Sequence, residues 1–185
     1  MRIDEFFEEL GKKRCIDEVI KAHPEIGEAE VSKFFSQLLS LLRSDREDKE
    51  GFYEVYIDGA SLSNPGSAGI GVVVKRGGRV LKEISKPIGI NTNNVAEYTA
   101  LIEGLKTLKD MGVGSARVFS DSELVVKQIK GDYAVKNPKL KQLCIEALKL
   151  LDEFDRIELV HVEREKNKAA DRLAKRAAEA GRNRN

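Results

Sequence analysis

Four carboxylates stand where a carboxylate needs a reason. Asp58 falls inside an alternating strand pattern, directly before Gly59, although Asp is depleted from strands. Glu97 falls in the first turn of a long helical pattern, Asp121 at the end of a short strand pattern, and Asp171 near the start of an Ala-rich helical pattern. In an α/β sheet, strand ends and helix starts converge along one edge, so all four can meet there. Unpaired, they would repel one another strongly, and a divalent cation is the ordinary relief. Donors that are all oxygen select hard ions such as Mg2+ or Mn2+. Two such ions about 4 Å apart activate a water and stabilise a departing oxygen. Each position also has a purely local reading. Asn94-Val95-Ala96-Glu97 has capping-box spacing, Asp121-Ser122 can start a helix, and Asp171 has Lys168, Arg172 and Lys175 as intrahelical partners.

The elements that must position these side chains can be read from periodicity. Tyr53, Val55 and Ile57 alternate with Glu54, Tyr56 and Asp58, which predicts a first strand. Residues 69–75 predict a second strand, Gly77-Gly78 a hairpin turn, and 79–84 a third. A helix is expected over 91–111, with Val95, Tyr98, Leu101, Ile102, Leu105 and Leu108 inward and Gly112 and Gly114 ending it. A strand over 117–121, helices over 122–130 and 137–154, a strand over 156–163 and a helix over 167–180 complete the pattern. The order is βββαβααβα: an α/β fold with a five-stranded mixed sheet, in which an antiparallel meander leads into crossovers.

The N-terminal stretch has a different texture. Residues 1–43 predict three short amphipathic helices, carried by Phe6, Phe7 and Leu10, by Cys15, Ile16, Val19 and Ile20, and by Val31, Phe34, Phe35, Leu38, Leu39 and Leu42. The polar run 44–51 reads as a linker, which gives a small all-α domain (1–43), the linker (44–51), an α/β domain (52–181) and a tail (182–185). Charge divides at the same place. Residues 1–50 hold 9 basic and 13 acidic residues, and the remaining 135 hold 23 and 18, although the whole chain is only +1. The absence of a long apolar run predicts no membrane partner, and Cys15 and Cys144 alone suggest a reduced, cytoplasmic setting. The first segment is expected to contact a protein partner or a second copy.

The residues around the carboxylates narrow the reading. Asp58-Gly59-Ala60-Ser61 runs on to Asn64-Pro65-Gly66 and Gly69-Ile70-Gly71. Thr92-Asn93-Asn94-Val95-Ala96-Glu97-Tyr98, then Phe119-Ser120-Asp121-Ser122, and finally 164–174 with Asn167 and Asp171 follow in order. Over nearly all of 52–181 this resembles type 1 ribonuclease H. The resemblance implies an endonuclease that cleaves the RNA strand of RNA/DNA hybrids with two Mg2+ (Mn2+ substituting), leaving 5′-phosphate and 3′-hydroxyl ends without sequence specificity. It makes Asp58, Glu97, Asp121 and Asp171 metal ligands. It assigns Asn93 and Asn94 to the hybrid's minor groove and backbone, Asn64 and Thr92 to a DNA-strand phosphate, and Ser122 and Asn167 to the substrate-binding set. An alternative is a catalytically silent hybrid-binding module of the same fold, which the loss of a central carboxylate would favour; none is lost.

Three departures from the family pattern are visible. Glu123 stands where many relatives have Gln, which suggests a surface or first-turn role. The loop 163–167 is short and lacks the family's mobile His. His161 lies in a strand, and Arg164 is the better candidate for the scissile phosphate. The basic handle that some relatives insert is missing, yet Lys127, Lys130, Lys136, Lys139 and Lys141 cluster in sequence and are expected to hold the hybrid backbone.

Overall fold

The computed structural model describes Ser32, Lys33, Ser36 and residues 52–182. The chain divides into two units, Met1–Lys49 and Glu50–Asn185. Ser32, Lys33 and Ser36 are helical; the rest of the expected helical domain, the linker and residues 183–185 of the tail lie outside the described residues.

The elements of the second unit are β1 (Tyr53–Ser61), β2 (Gly66–Arg76), β3 (Arg79–Asn91), α1 (Asn93–Asp110), β4 (Ser115–Ser120), α2 (Glu123–Lys130), α3 (Pro138–Leu151), β5 (Arg156–His161), a 3-10 turn (Arg164–Lys166) and α4 (Lys168–Arg182). They form one five-stranded sheet in the order β3-β2-β1-β4-β5. β1 pairs antiparallel with β2 and parallel with β4, and β5 adds in parallel to β4. The mixed sheet and the βββαβααβα order are those expected from the sequence.

Alternation along the strands assigns the two faces. Val55, Ile57, Val72 and Val74 pack with Tyr98, Leu101 and Leu105 of α1, whereas Tyr56 and Val73 face Ala170 and Leu173 of α4. Val72, Val73 and Val74 are therefore all fully buried, as a strand covered on both faces requires. Glycine brings the layers into backbone contact. A Cβ on Gly59 would lie 2.2 Å from the Ala96 carbonyl carbon and the Glu97 nitrogen, and one on Gly71 would lie 2.1 Å from the Ala170 oxygen.

Several boundaries differ from the sequence expectation, and three have a bearing on the site. β3 continues to Asn91 rather than ending near residue 84, through Pro87 and a left-handed Gly89. As an edge strand it pairs only with β2, the setting in which a strand tolerates proline. α1 starts later, because Thr92 is its cap: its Oγ1 accepts from the Val95 N–H at 3.4 Å. β5 stops at His161, two residues short of its expected end, and a 3-10 turn follows at Arg164–Lys166. Elsewhere the caps do what their residue types allow. Ser122 caps α2, which ends on left-handed Gly131, and Asn137 caps α3 with Pro138 in the first turn.

Candidate active site

The C-terminal ends of β1 and β4, the first turns of α1 and α4, and the segment after β5 enclose an open cleft of about 750 Å³. Asp58, Glu97, Asp121 and Asp171 all line it, with Asn93, His161, Arg164 and Lys175. β1 and β4 are parallel neighbours with Ile57 opposite Ser120, so the residue that follows each places Asp58 beside Asp121. Each of the three outer carboxylates has protein donors. Glu97 accepts from Asn93 Nδ2 at 3.2 Å and from Ser122 Oγ at 2.7 Å. Asp121 accepts from Asn167 Nδ2 at 2.6 Å. Asp171 is bound by Arg164 Nη2 at 3.0 Å and Lys175 Nζ at 2.7 Å. Asp58 accepts no hydrogen bond among the described residues.

The electrostatics follow from that inequality. Burial, then the charges of Asp121, Asp171 and Glu97, push the Asp58 carboxyl up to about 8. Burial also raises Glu97, although its Ser122 hydrogen bond opposes this. Burial would raise Asp171 too, but the hydrogen bonds from Lys175 and Arg164 outweigh it and hold the group low. A central acid that burial and three neighbouring acids keep from ionising is a place where added positive charge is favourable. The donor set fits hard divalent cations, being four oxygen acids around one open cleft. As the side chains stand, with their protein partners, no three His, Cys, Asp or Glu groups among the described residues are set at ligating distances.

A second, smaller cavity of about 310 Å³ is of different character. Asn64, Asn91, Thr92, Asn94, Asn137 and Lys139 line it, and no acid does. Lys139 Nζ reaches from the first turn of α3 to Asn91 Oδ1 at 2.8 Å.

The comparisons with known proteins match this geometry. A family model described as "Reverse transcriptase-like" matches residues 56–177. The "Ribonuclease HI" of Halobacterium salinarum is 35% identical over 163 residues, covering 84% of this chain and 82% of that protein. The chain belongs to the type 1 ribonuclease H family. It is thereby placed among hydrolases. The "Bifunctional protein Rv2228c" of Mycobacterium tuberculosis is 46% identical over 125 residues; the chain spans about a third of that relative's length, 34%, and the match covers 66% of this chain. The crystal structure of LC11-RNase H1 in complex with an RNA/DNA hybrid superimposes with TM-score 0.66 at 41% identity, covering 69% of this chain and 97% of that one. The solved ribonuclease H domain of Rv2228c gives TM-score 0.68 at 43% identity over 71% of this chain and 96% of that one.

Against the ribonuclease H expectations, the structure sorts the residues as follows. The four carboxylates and Arg164 share the cleft. The asparagine pair is split: Asn93 faces the acids, and Asn94 faces the second cavity with Asn64 and Thr92. Two substrate-binding assignments are corrected. Asn167 is 0% exposed and donates to Asp121 and to the Ile57 carbonyl, so no duplex can reach it. Ser122 is 8% exposed, and its hydroxyl is committed to Glu97 while also capping α2. The capping-box reading of Glu97 fails as well, because the cap is Thr92 and Glu97 lies a turn further in. Asp171 pairs with Lys175 four residues on, as its local reading has it, and also lines the cleft.

Glu123 sits in the first turn of α2 in an ion pair with Lys127 at 2.6 Å, which lowers its carboxyl. Lys127 also donates to the Tyr133 hydroxyl at 3.1 Å, and Lys130, Lys136 and Lys141 are exposed. Lys139 of this group lines the second cavity. Asn91 and Asn137 were missed as cavity residues. The Asn-Pro start of α3 carried the signal for Asn137, since a capping side chain stands at the helix mouth.

Proposed function

We propose that the chain hydrolyses the RNA strand of RNA/DNA hybrids, leaving 5′-phosphate and 3′-hydroxyl ends, with divalent cations held by Asp58, Glu97, Asp121 and Asp171. The observation that carries the reading is the convergence of these acids from β1, α1, β4 and α4 on one open cleft in a ribonuclease H chain. Two Mg2+ ions bound there, or Mn2+, would supply the Lewis acidity that makes water nucleophilic near neutral pH and stabilises the departing 3′-oxygen.

The chain's own residues do the rest. Arg164 stands exposed at the rim and gives one guanidinium nitrogen to Asp171, keeping its other donors for a phosphate oxygen. Asn93 offers an amide at the edge of the cleft, where the RNA minor groove presents 2′-hydroxyls. Asn64, Thr92, Asn94 and Lys139 form a neutral-to-basic receptor for a phosphate of the DNA strand. These groups read backbone and sugar, so recognition follows duplex shape and not base sequence. Residues 1–43 supply a contact for a protein partner or a second copy.

The test is a panel of end-labelled RNA/DNA hybrid, double-stranded DNA and double-stranded RNA, each with Mg2+ and with EDTA. Cleavage of the RNA strand confined to the hybrid and to Mg2+ is the expected result. Cutting of double-stranded DNA, or cutting in EDTA, overturns the reading. Tight hybrid binding without cleavage would favour the silent module.

A further inference from the structure

Asn167 is the most deeply buried polar residue at the cleft, with 0% exposure. Its amide nitrogen makes two hydrogen bonds, to the Ile57 carbonyl at 2.9 Å and to Asp121 Oδ1 at 2.6 Å. Its Oδ1 is buried with no partner among the described residues. Flipping the amide would set that oxygen against two other oxygens, so the orientation is fixed by its surroundings. A buried acceptor without a partner is a cost that an apolar side chain would avoid. What the amide offers in return is two donors held at one point.

That point joins three of the four acids. Ile57 directly precedes Asp58 on β1, and Asp121 follows the end of β4. The backbone of Asn167 completes the set: its N–H donates to the Arg164 carbonyl at 3.0 Å, and its own carbonyl accepts from the Asp171 N–H at 3.1 Å. The amide therefore ties α4, at the turn that carries Asp171, to the ends of both central strands.

We infer that Asn167 is a positioning residue of the carboxylate site: it fixes the rotamer of Asp121 and the spacing of Asp58, Asp121 and Asp171, and never touches the hybrid. The inference rests on the proposed nuclease reading, but its test does not depend on turnover. Mn2+ binding to the full chain is followed by calorimetry for the wild type, Asn167→Ala, Asp121→Asn and the double variant. Hybrid affinity is measured in Ca2+, and folding by circular dichroism.

Asn167→Ala is expected to weaken Mn2+ binding about 10- to 100-fold, the usual effect of losing a group that orients a ligand. In the Asp121→Asn background the same change adds less than about twofold, since the two act through one contact. Hybrid affinity in Ca2+ stays within about twofold, and kcat falls while KM for the hybrid holds. If Asn167→Ala does not fold, Asn167→Ser is measured in the same way and is expected to show the same Mn2+ loss. Unchanged Mn2+ affinity overturns the inference, as does a loss confined to hybrid affinity. A wild-type chain that binds Mn2+ but cuts no hybrid overturns the nuclease reading alone.

Discussion

The two cavities lie on either side of the first turn of α1 and are built on opposite logic. Asn93 opens to the larger one and Asn94, the next residue, to the smaller. The larger gathers four acids, one of them with no hydrogen-bond donor, and is a poor receptor for phosphate until cations enter. The smaller gathers amides, a hydroxyl and Lys139, and can take a phosphate as it stands. In the proposed reading, one cavity is assembled by its ions and the other is ready beforehand. A substrate would then have two anchors, of which only one performs chemistry.

Substitutions can break that division, and the largest effect is expected in the acidic cleft. Asp121→Asn should lower kcat on hybrid about a thousandfold, equivalent to several kcal/mol of lost transition-state stabilisation, with the circular dichroism spectrum retained. Activity persisting in this variant would mean that the acids are not the working site.

Gly59→Ala touches no polar group. Its methyl would collide with the α1 backbone at Ala96 and Glu97, so Glu97 must move away from Asp58. The expected cost is about 100-fold in kcat, together with destabilisation of about 1–3 kcal/mol in urea unfolding. Lys139→Ala addresses the smaller cavity. It should raise KM for hybrid about tenfold and leave kcat within about twofold, which would separate anchoring from chemistry. A fall in kcat instead would merge the two cavities into one functional unit.

Saturation with Mg2+ should raise the melting temperature by a few degrees. A cation at ten times its Kd contributes about 1.4 kcal/mol to stability if it binds only the folded state. Asp171→Asn should reduce that gain. The smallest effect is expected outside both cavities. Neutralising Lys127, Lys130 and Lys136 together should make the salt dependence of hybrid binding shallower by about two to three in log–log slope. An unchanged slope would confine backbone contacts to the two cavities.

The acids were legible in the sequence because Asp58 breaks a local rule inside a strand and because the segments around all four follow one another in the order of a known family. The element order and α1 were legible because their apolar periodicity is strong. The role of Asn167 was not. It sits in a run of charged residues that reads as exposed, and only its seating against Ile57 of β1 and Asp121 beyond β4 buries it. Ser122 was hidden differently: its capping role was plain from position, but its bond to Glu97 depends on a residue 25 positions away. The length of β3 was masked by Pro87 and Gly89, which end a central strand but are tolerated at an edge.

Gly71 holds one more consequence. With no carbon beyond Cα there, the last helix rests on the middle of the sheet at the distance of bare backbone, and Asp171 is carried in at that height. The thickness of this layer is a dimension of the site as real as any hydrogen bond, and it is recorded in an absent methyl group. A related chain with all four acids intact but a side chain at this position would have its last helix lifted and its cleft splayed. In the proposed reading, a count of acidic residues would overstate the number of chains able to cut, and the small residues beneath the helix are where an inert relative would first betray itself.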